Sequence, residues 1–244
     1  MAVVNNEFYD RLGEEWYNNK NFSMSVLREQ GNAKNPWAQN KIEKYLGSSP
    51  QQILDIGCGG GFLSNYLAEK GHQVTGIDIN PNNLQVAKKY DATKTVSYVE
   101  ADARDLKFPD ESFSVAAAMD VLEHVEELDK LISEASRVLK KGGLFIFHTF
   151  NRTLLARIIG VWGLNLMPGV PLNTHIYRLF IKPEELTAKC SQHQMRIAEM
   201  SGINTNIKPT TVLKAFAGIY CPEEVHFTFT NSLKASYLGV AIKE

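Results

Sequence analysis

The sequence of 244 residues lacks clustered cysteines, an excess of either charge and any long hydrophobic run. Its cysteines, Cys58, Cys190 and Cys221, are too far apart for a metal-binding knuckle or a disulfide framework, which favours a reducing compartment. The 26 Lys+Arg balance 27 Asp+Glu, so we expect no nucleic-acid partner. The N-terminal stretch has no signal-peptide core, and no segment has the roughly 18 apolar residues that span a bilayer. We therefore expect a cytoplasmic protein.

Between residues 51 and 152, short apolar runs alternate with amphipathic segments. This alternation predicts βαβ units and an α/β fold with a parallel sheet covered on both faces. The predicted strands cover 51–57, 72–79, 95–102, 112–120 and 143–151, and the predicted helices cover 62–71, 80–91 and 125–143. Ligands of such sheets bind at the carboxyl ends of the strands, so the residues there are the candidate site.

The remaining parts of the chain are expected to surround this core within a single domain. Residues 1–50 predict an N-terminal helical cap with helices at 8–18 and 38–46. Residues 153–182 begin with an apolar stretch that predicts a lid or insert. Residues 183–244 predict the C-terminal part of the sheet, with a helix at 183–193 and strands at 224–230 and 235–243.

The strongest motif is a glycine loop that follows the first predicted strand. It contains Gly57, Gly59, Gly60 and Gly61, more glycines than a strand-to-helix turn requires, so we favour ligand binding over a turn alone. The dinucleotide fingerprint needs glycine at the position of Phe62, which weakens a pyrophosphate interpretation. Asp55 adds negative charge near the loop and favours a cationic ligand.

Acidic residues end the next two predicted strands. Asp78 is placed to accept hydrogen bonds from a ribose diol, although a carboxylate at a helix N-terminus is the structural alternative. Asp102, with the backbone amide of Ala103, is placed to contact an adenine edge. Its structural alternative is an Asx turn, which remains open at this point.

The motifs DIGCGGG, GIDI, EADARDLKF, FSVAAAMDVLEHV and LKKGGLFIFHTFNR together resemble class I S-adenosylmethionine-dependent methyltransferases in order and spacing. The resemblance covers residues 51–152. It implies a Rossmann-like seven-stranded sheet, mostly parallel, with an antiparallel last strand and helices on both faces. It also implies S-adenosyl-L-methionine as cofactor, bound by Asp55, Gly57, Cys58, Gly59, Asp78, Ile79, Asp102, Ala103 and Met119.

A narrower resemblance links MDVLEHV, HTFNRTLL and FIKPEEL to the ubiquinone-biosynthesis O-methyltransferases, as does the tripeptide at 35–37. It implies methyl transfer to a phenolic hydroxyl of a polyprenylated quinone precursor. In that family an arginine that contacts the cofactor carboxylate commonly follows the tripeptide, where this chain has Ala38. Lys41 or Arg28 is then the substitute, or backbone alone holds the carboxylate. Another small-molecule substrate, or a non-catalytic nucleoside-binding module, is the alternative.

A phenol has a pKa of about 10, so a base or a cation must help it to ionise. Asp120, Glu123 and His124 fall on one face of a helical turn and suit a divalent cation such as Mg²⁺, as the resemblance also implies. The alternative is a capping box made by Asp120 and Glu123. His124, His148 and His175 are the candidate catalytic bases, with a purely structural role as the alternative for each.

The apolar stretch 153–170 follows Arg152 directly and contains Arg157 as its one charged residue. It is too short to span a bilayer. One interpretation is an interfacial element that lies on the inner face of a membrane and admits a lipid-like aromatic substrate. The other is a helix that packs over the active site. Both interpretations remain open, since one segment could serve both purposes.

Overall fold

The computed structural model describes residues 12–18, 22–163, 165, 174–219 and 221–244. In this part of the chain, no helix combines the length and the apolar character needed to cross a membrane. Its eight strands form one sheet in the order β3-β2-β1-β4-β5-β8-β6-β7. The strands are β1 (Gln52–Ile56), β2 (Gln73–Asp78), β3 (Ser97–Glu100), β4 (Phe113–Met119), β5 (Leu139–Phe150), β6 (Met195–Ile207), β7 (Val225–Thr230) and β8 (Ser236–Lys243).

The first five strands are parallel, as the alternating pattern predicts. Strand β1 lies in the middle, with Asp55 opposite Gly76 of β2 and Ala117 of β4. Its apolar side chains are fully buried because helices cover both faces. Strands β2 and β3 are added on one side of β1, and β4 and β5 are added on the other. The ends of β1 and β4 therefore form the crevice where ligands of such sheets bind.

The helices alternate with the strands in the core and flank it at both ends. They are α1 (Phe22–Leu46), α2 (Phe62–Glu69), α3 (Pro81–Lys89), α4 (Leu128–Val138), α5 (Leu154–Arg157), α6 (Pro183–Gln192) and α7 (Pro209–Phe216). Helix α3 begins as predicted, because the Asn80 side chain accepts a hydrogen bond of 2.8 Å from the backbone N–H of Asn82. Pro81 occupies the first helical position, where its missing N–H costs little.

The N-terminal region differs from the prediction. One helix of 25 residues, α1, replaces the short helix expected at 38–46. Gly31 and Pro36 disfavour a helix locally, but Trp37 and Ile42 are buried against the sheet and its helices, and this packing outweighs local propensity. In the stretch 8–18 the described part contains a 3-10 turn at Gly13–Trp16, and residues 8–11 lie outside the described residues.

The C-terminal strands complete the sheet with reversed polarity. Strand β8 is antiparallel to both β5 and β6, as the expected antiparallel last strand requires. Both strands expected near the C-terminus, β7 and β8, are present. Strand β7 pairs with the second half of β6, from Gly202 to Ile207, and gives the described part eight strands where seven were expected. This hairpin extends β6 toward helix α1 and the crevice.

Candidate active site

A cavity of about 1030 Å³ opens at the carboxyl ends of the parallel strands. Its lining includes every residue predicted to bind the cofactor: Asp55, Gly57, Cys58, Gly59, Asp78, Ile79, Asp102, Ala103 and Met119. Helix α1, the segment after β5 and the β6–β7 hairpin form the rest of its wall. The topology thus brings the motifs of four strands to one crevice, because parallel strands all end at the same edge.

The glycines of the loop are required by the protein as well as by any ligand. Gly57 has φ +67°, and a Cβ there would lie 2.6 Å from Cγ2 of Val121. A Cβ at Gly59 or Gly60 would lie 2.8 or 2.7 Å from the Trp16 ring. The Trp16 indole, whose N–H donates to Oδ1 of Asn83 at 3.1 Å, therefore covers the loop closely.

Two buried groups lie at the base of the loop. The Asp55 carboxylate accepts a hydrogen bond of 2.6 Å from the Ser64 hydroxyl, and burial raises its pKa to about 7. Burial also raises the pKa of the Cys58 thiol well above its usual range. The Cys58 backbone N–H donates to the Ile77 carbonyl at 2.9 Å, which ties the loop to β2. Because burial disfavours both charged forms, these groups shape the cavity floor and contribute less negative charge than the sequence suggests.

The Asp78 carboxylate at the end of β2 connects the glycine loop to helix α3. It accepts hydrogen bonds of 2.9 Å from the backbone N–H groups of Gly59 and Asn80. The structural alternative, a carboxylate at the helix N-terminus, is therefore present. The side chain also lines the cavity, so a ribose would meet a carboxylate that is already held in place.

The Asp102 carboxylate at the end of β3 forms the Asx turn considered above. It accepts a hydrogen bond of 2.8 Å from the Arg104 backbone N–H, and the Arg104 guanidinium binds it through three further hydrogen bonds. These bonds hold the pKa of Asp102 below its usual range. A contact of Asp102 and Ala103 with adenine stays a prediction.

The capping box considered as the alternative at the end of β4 does not form. Residues Leu122–His124 form a 3-10 turn that begins after Val121 and has no side-chain cap. Asp120 has a left-handed backbone, with φ +60°, and its carboxylate binds the Lys34 ammonium and Nδ1 of His148. Burial opposes its ionisation, but the Lys34 charge and the His148 contact outweigh that cost and hold the pKa well below its usual range.

The three candidate histidines have different positions. His124 and His175 line the cavity with ring centroids 5.0 Å apart, whereas His148 is buried, bonds Asp120 and is not among the lining residues. Burial lowers the pKa of His124 to about 4 and that of His175 to about 3. Both imidazoles are therefore neutral at pH 7, with a lone pair on each ring, although the same burial makes each a weaker base than an exposed histidine.

The metal-ligand set also differs from the prediction. The potential ligand atoms of Glu123, His124 and His175 lie within 4.8 Å of one another. Asp120 does not belong to this group, and its two oxygens bind Lys34 and His148 instead. Glu123 is fully buried, accepts a hydrogen bond from Thr149 at 2.9 Å, and has its pKa raised to about 8 by burial. The sequence did not reveal His175 as a ligand, since it lies about 50 residues downstream.

Neither cation expected to hold the cofactor carboxylate reaches the cavity. Arg28 donates to the backbone carbonyls of Trp16 and Asn18 at 3.0 Å, and Lys41 pairs with Glu199 at 2.9 Å. Lys34, which sequence reasoning missed, does line the cavity beside the glycine loop, while Arg104, which also lines it, is bound to Asp102. The signal that could have found Lys34 is its position directly before the motif at residues 35–37.

Known proteins that are similar to this chain share one kind of domain and one family name. Residues 54–147 match the model of a methyltransferase domain. A ubiquinone biosynthesis O-methyltransferase of Haemophilus ducreyi is 36% identical over 181 residues, which is 70% of this chain and 77% of that protein. A ubiquinone biosynthesis O-methyltransferase of Rickettsia bellii is 29% identical over 98% of this chain and 100% of that protein.

Solved structures share the fold at low sequence identity. Magnesium protoporphyrin IX methyltransferase from Synechocystis, with bound SAH, has a TM-score of 0.68 and 18% identity over 98% of this chain and 96% of that chain. The fold and the crevice define a class I methyltransferase, an enzyme that depends on S-adenosylmethionine. Within that class, the chain belongs to the ubiquinone biosynthesis O-methyltransferase family.

Replacement of Asp78 by Ala should weaken binding of S-adenosylhomocysteine by about 1.5–3 kcal/mol, because charge-assisted hydrogen bonds to the ribose are lost. Isothermal titration measures the change. The matched control is Asp105→Ala, which removes an exposed carboxylate paired with Lys107 and should leave the affinity unchanged. Equal affinities of wild type and Asp78→Ala would exclude the ribose contact.

Proposed function

We propose that the chain methylates a phenolic or catechol hydroxyl of a ring substrate that is a polyprenylated quinone precursor. The name shared by its relatives, ubiquinone biosynthesis O-methyltransferase, supports this substrate class. The supporting observation in the structure is the cavity wall opposite the cofactor residues. It combines apolar side chains of the segment after β5, including Leu155, Ile158 and Ile159, with the two neutral imidazoles.

Methyl transfer to oxygen is a displacement at the sulfonium methyl of the cofactor, so the protein must position the acceptor and remove its proton. We assign proton acceptance to His124 and His175, the neutral imidazoles on the cavity wall. The Phe150 ring lies 5.2 Å from the His175 ring and also lines the cavity. An aromatic acceptor at this wall would thus meet an aromatic surface beside a proton acceptor.

Transfer of labelled methyl from S-adenosylmethionine to a panel of catechols tests this assignment. His124→Asn and His175→Asn should each lower kcat by roughly a hundredfold or more while cofactor affinity is kept. The matched control is His226→Asn, since His226 is exposed on β7 and does not line the cavity. A wild type that transfers no methyl to any catechol would refute the substrate class, and unchanged kcat in both variants would refute the assigned base.

We further propose that a divalent ion can bind at Glu123, His124 and His175. The donor set supports an ion, because Oε1 of Glu123 and Nδ1 of His175 are buried without hydrogen-bond partners among the described residues. Two imidazoles and one carboxylate suit a first-row transition ion better than Mg²⁺, which prefers oxygen ligands. A bound ion would supply Lewis-acid charge at the phenolic oxygen.

If this ion is used, EDTA should abolish methyl transfer, and Mn²⁺ or Zn²⁺ should restore it more effectively than Mg²⁺. The raised pKa of Glu123 gives a second measurement. A metal ion must displace the proton of this carboxyl group, so titration with the metal should release protons into solution. Glu123→Gln should lose metal affinity but keep affinity for S-adenosylhomocysteine. Full activity in EDTA would leave the imidazoles as the proton acceptors and remove the ion from the reaction.

We also propose that the segment after β5 lies on a membrane surface and admits the lipid-like substrate there. Helix α5 and the π-helical turn Ile158–Gly163 expose Leu154 and Trp162 to 65% and 51%, and other apolar side chains of the segment line the cavity. Arg157 stacks over the Trp162 ring at 5.3 Å, so its charge lies beside an exposed apolar side chain, as an interfacial segment at anionic headgroups requires. Leu164 and Met167, which belong to the same apolar stretch, lie outside the described residues.

Vesicles that contain anionic lipid should therefore bind the protein in sedimentation, more weakly as salt rises. Leu154→Glu combined with Trp162→Glu should abolish vesicle binding. Turnover of a short-chain, water-soluble catechol should persist, because neither side chain lines the cavity. If the wild-type protein does not bind the vesicles, the membrane proposal is wrong and the segment serves only as a lid over the active site.

A further inference from the structure

We propose that Lys34 and Asp120 form the subsite for the amino-acid end of the cofactor. The Lys34 ammonium would bind the cofactor carboxylate, and the Asp120 carboxylate would bind the cofactor ammonium. The inference rests on the proposed function only through its cofactor and is independent of the methyl acceptor.

Helix α1 crosses the glycine loop at this point. The Asn35 side chain donates to the Phe62 carbonyl, at the start of α2, at 3.0 Å. The neighbouring Lys34 reaches Asp120, at the end of β4. Gly57 lies directly below, since a Cβ on it would meet Val121 at 2.6 Å. Lys34 and Asp120 therefore face each other above the first glycine of the loop.

The order of the strands fixes which end of the cofactor meets this pair. Along the sheet edge, β3 ends at Asp102, β2 at Asp78, β1 at Gly57 and β4 at Asp120. With adenine near Asp102 and ribose at Asp78, the extended cofactor continues toward β1 and β4. Its amino-acid end therefore arrives between Lys34 and Asp120.

The chemistry of the pair matches a zwitterion. Lys34 is only 3% exposed, yet it lines the cavity, and its ammonium has three donors, of which two bind Asp120 and Oε1 of Gln30. The Asp120 side chain retains 25% exposure. A buried charge that loses its ion-pair partner destabilises the protein strongly, because the charge is then left without compensation. An α-amino acid group brings one charge of each sign, so both Lys34 and Asp120 keep an opposite charge when it enters between them.

Two ligands separate this subsite from the nucleoside site. S-Adenosylhomocysteine carries the amino-acid end, and 5′-methylthioadenosine lacks it. Lys34→Met should lower the affinity for S-adenosylhomocysteine roughly tenfold or more in isothermal titration. The affinity for 5′-methylthioadenosine should be unchanged. Lys41→Met is the matched control on the same helix, because Lys41 pairs with Glu199 away from the cavity, and it should change neither affinity.

Binding of 5′-methylthioadenosine with wild-type affinity shows that the crevice of each variant is folded. Lys34→Met combined with Asp120→Asn removes both charges of the pair and leaves no carboxylate without its lysine, so it should show the same selective loss even if Lys34→Met misfolds. Unchanged affinity for S-adenosylhomocysteine, or equal losses for both ligands in the double variant, would overturn the subsite. A rise in catechol KM with cofactor affinity intact would assign the pair to the substrate and also overturn it. The two ligand-binding measurements do not depend on whether catechols are methylated, so the two proposals can fail separately.

Discussion

The partly buried carboxylate of Asp120 is the constraint on which the arrangement of the site depends. A carboxylate at this depth needs partners, and it finds them in Lys34 of α1 and His148 of β5. These contacts join the N-terminal helix, the end of β4 and the neighbouring strand at one point of the crevice. The left-handed backbone of Asp120, which is costly for a residue with a side chain, is held by the same contacts.

Close packing imposes the second constraint, on the glycine loop. Trp16 covers Gly59 and Gly60 at distances that leave no room for a Cβ. The glycines therefore allow the N-terminal cap to lie against the loop, in addition to any approach by a ligand. Sequence reasoning attributed them to the turn and to a ligand, because a tight contact with a residue more than 40 positions away leaves no local pattern.

The parallel core could be predicted from the sequence because its signals are local. Apolar runs, Asn80 before Pro81, and acids at strand ends all act within a few residues. Helix α1 was predicted too short, because Gly31 and Pro36 outweigh its weak pattern until Trp37 and Ile42 are packed. The capping box failed for a related reason: the local spacing fits, but tertiary partners take both carboxylates.

The part of the crevice beyond the nucleoside site is assembled from regions outside the core motifs, so it could be predicted least. His175 follows the apolar segment, and Lys34 belongs to the N-terminal helix; each meets a residue of the β4 exit only in the folded chain. This division has a physical basis. The cofactor is constant, and residues at the strand ends can hold it, whereas selectivity for the acceptor must come from elements that vary around the same sheet. The departure of this chain from the pattern of the resembled family, at Ala38, falls on one of these surrounding elements. Changes in the surrounding elements can alter the selectivity for the acceptor, or the affinity for the amino-acid end of the cofactor, while the nucleoside site stays the same.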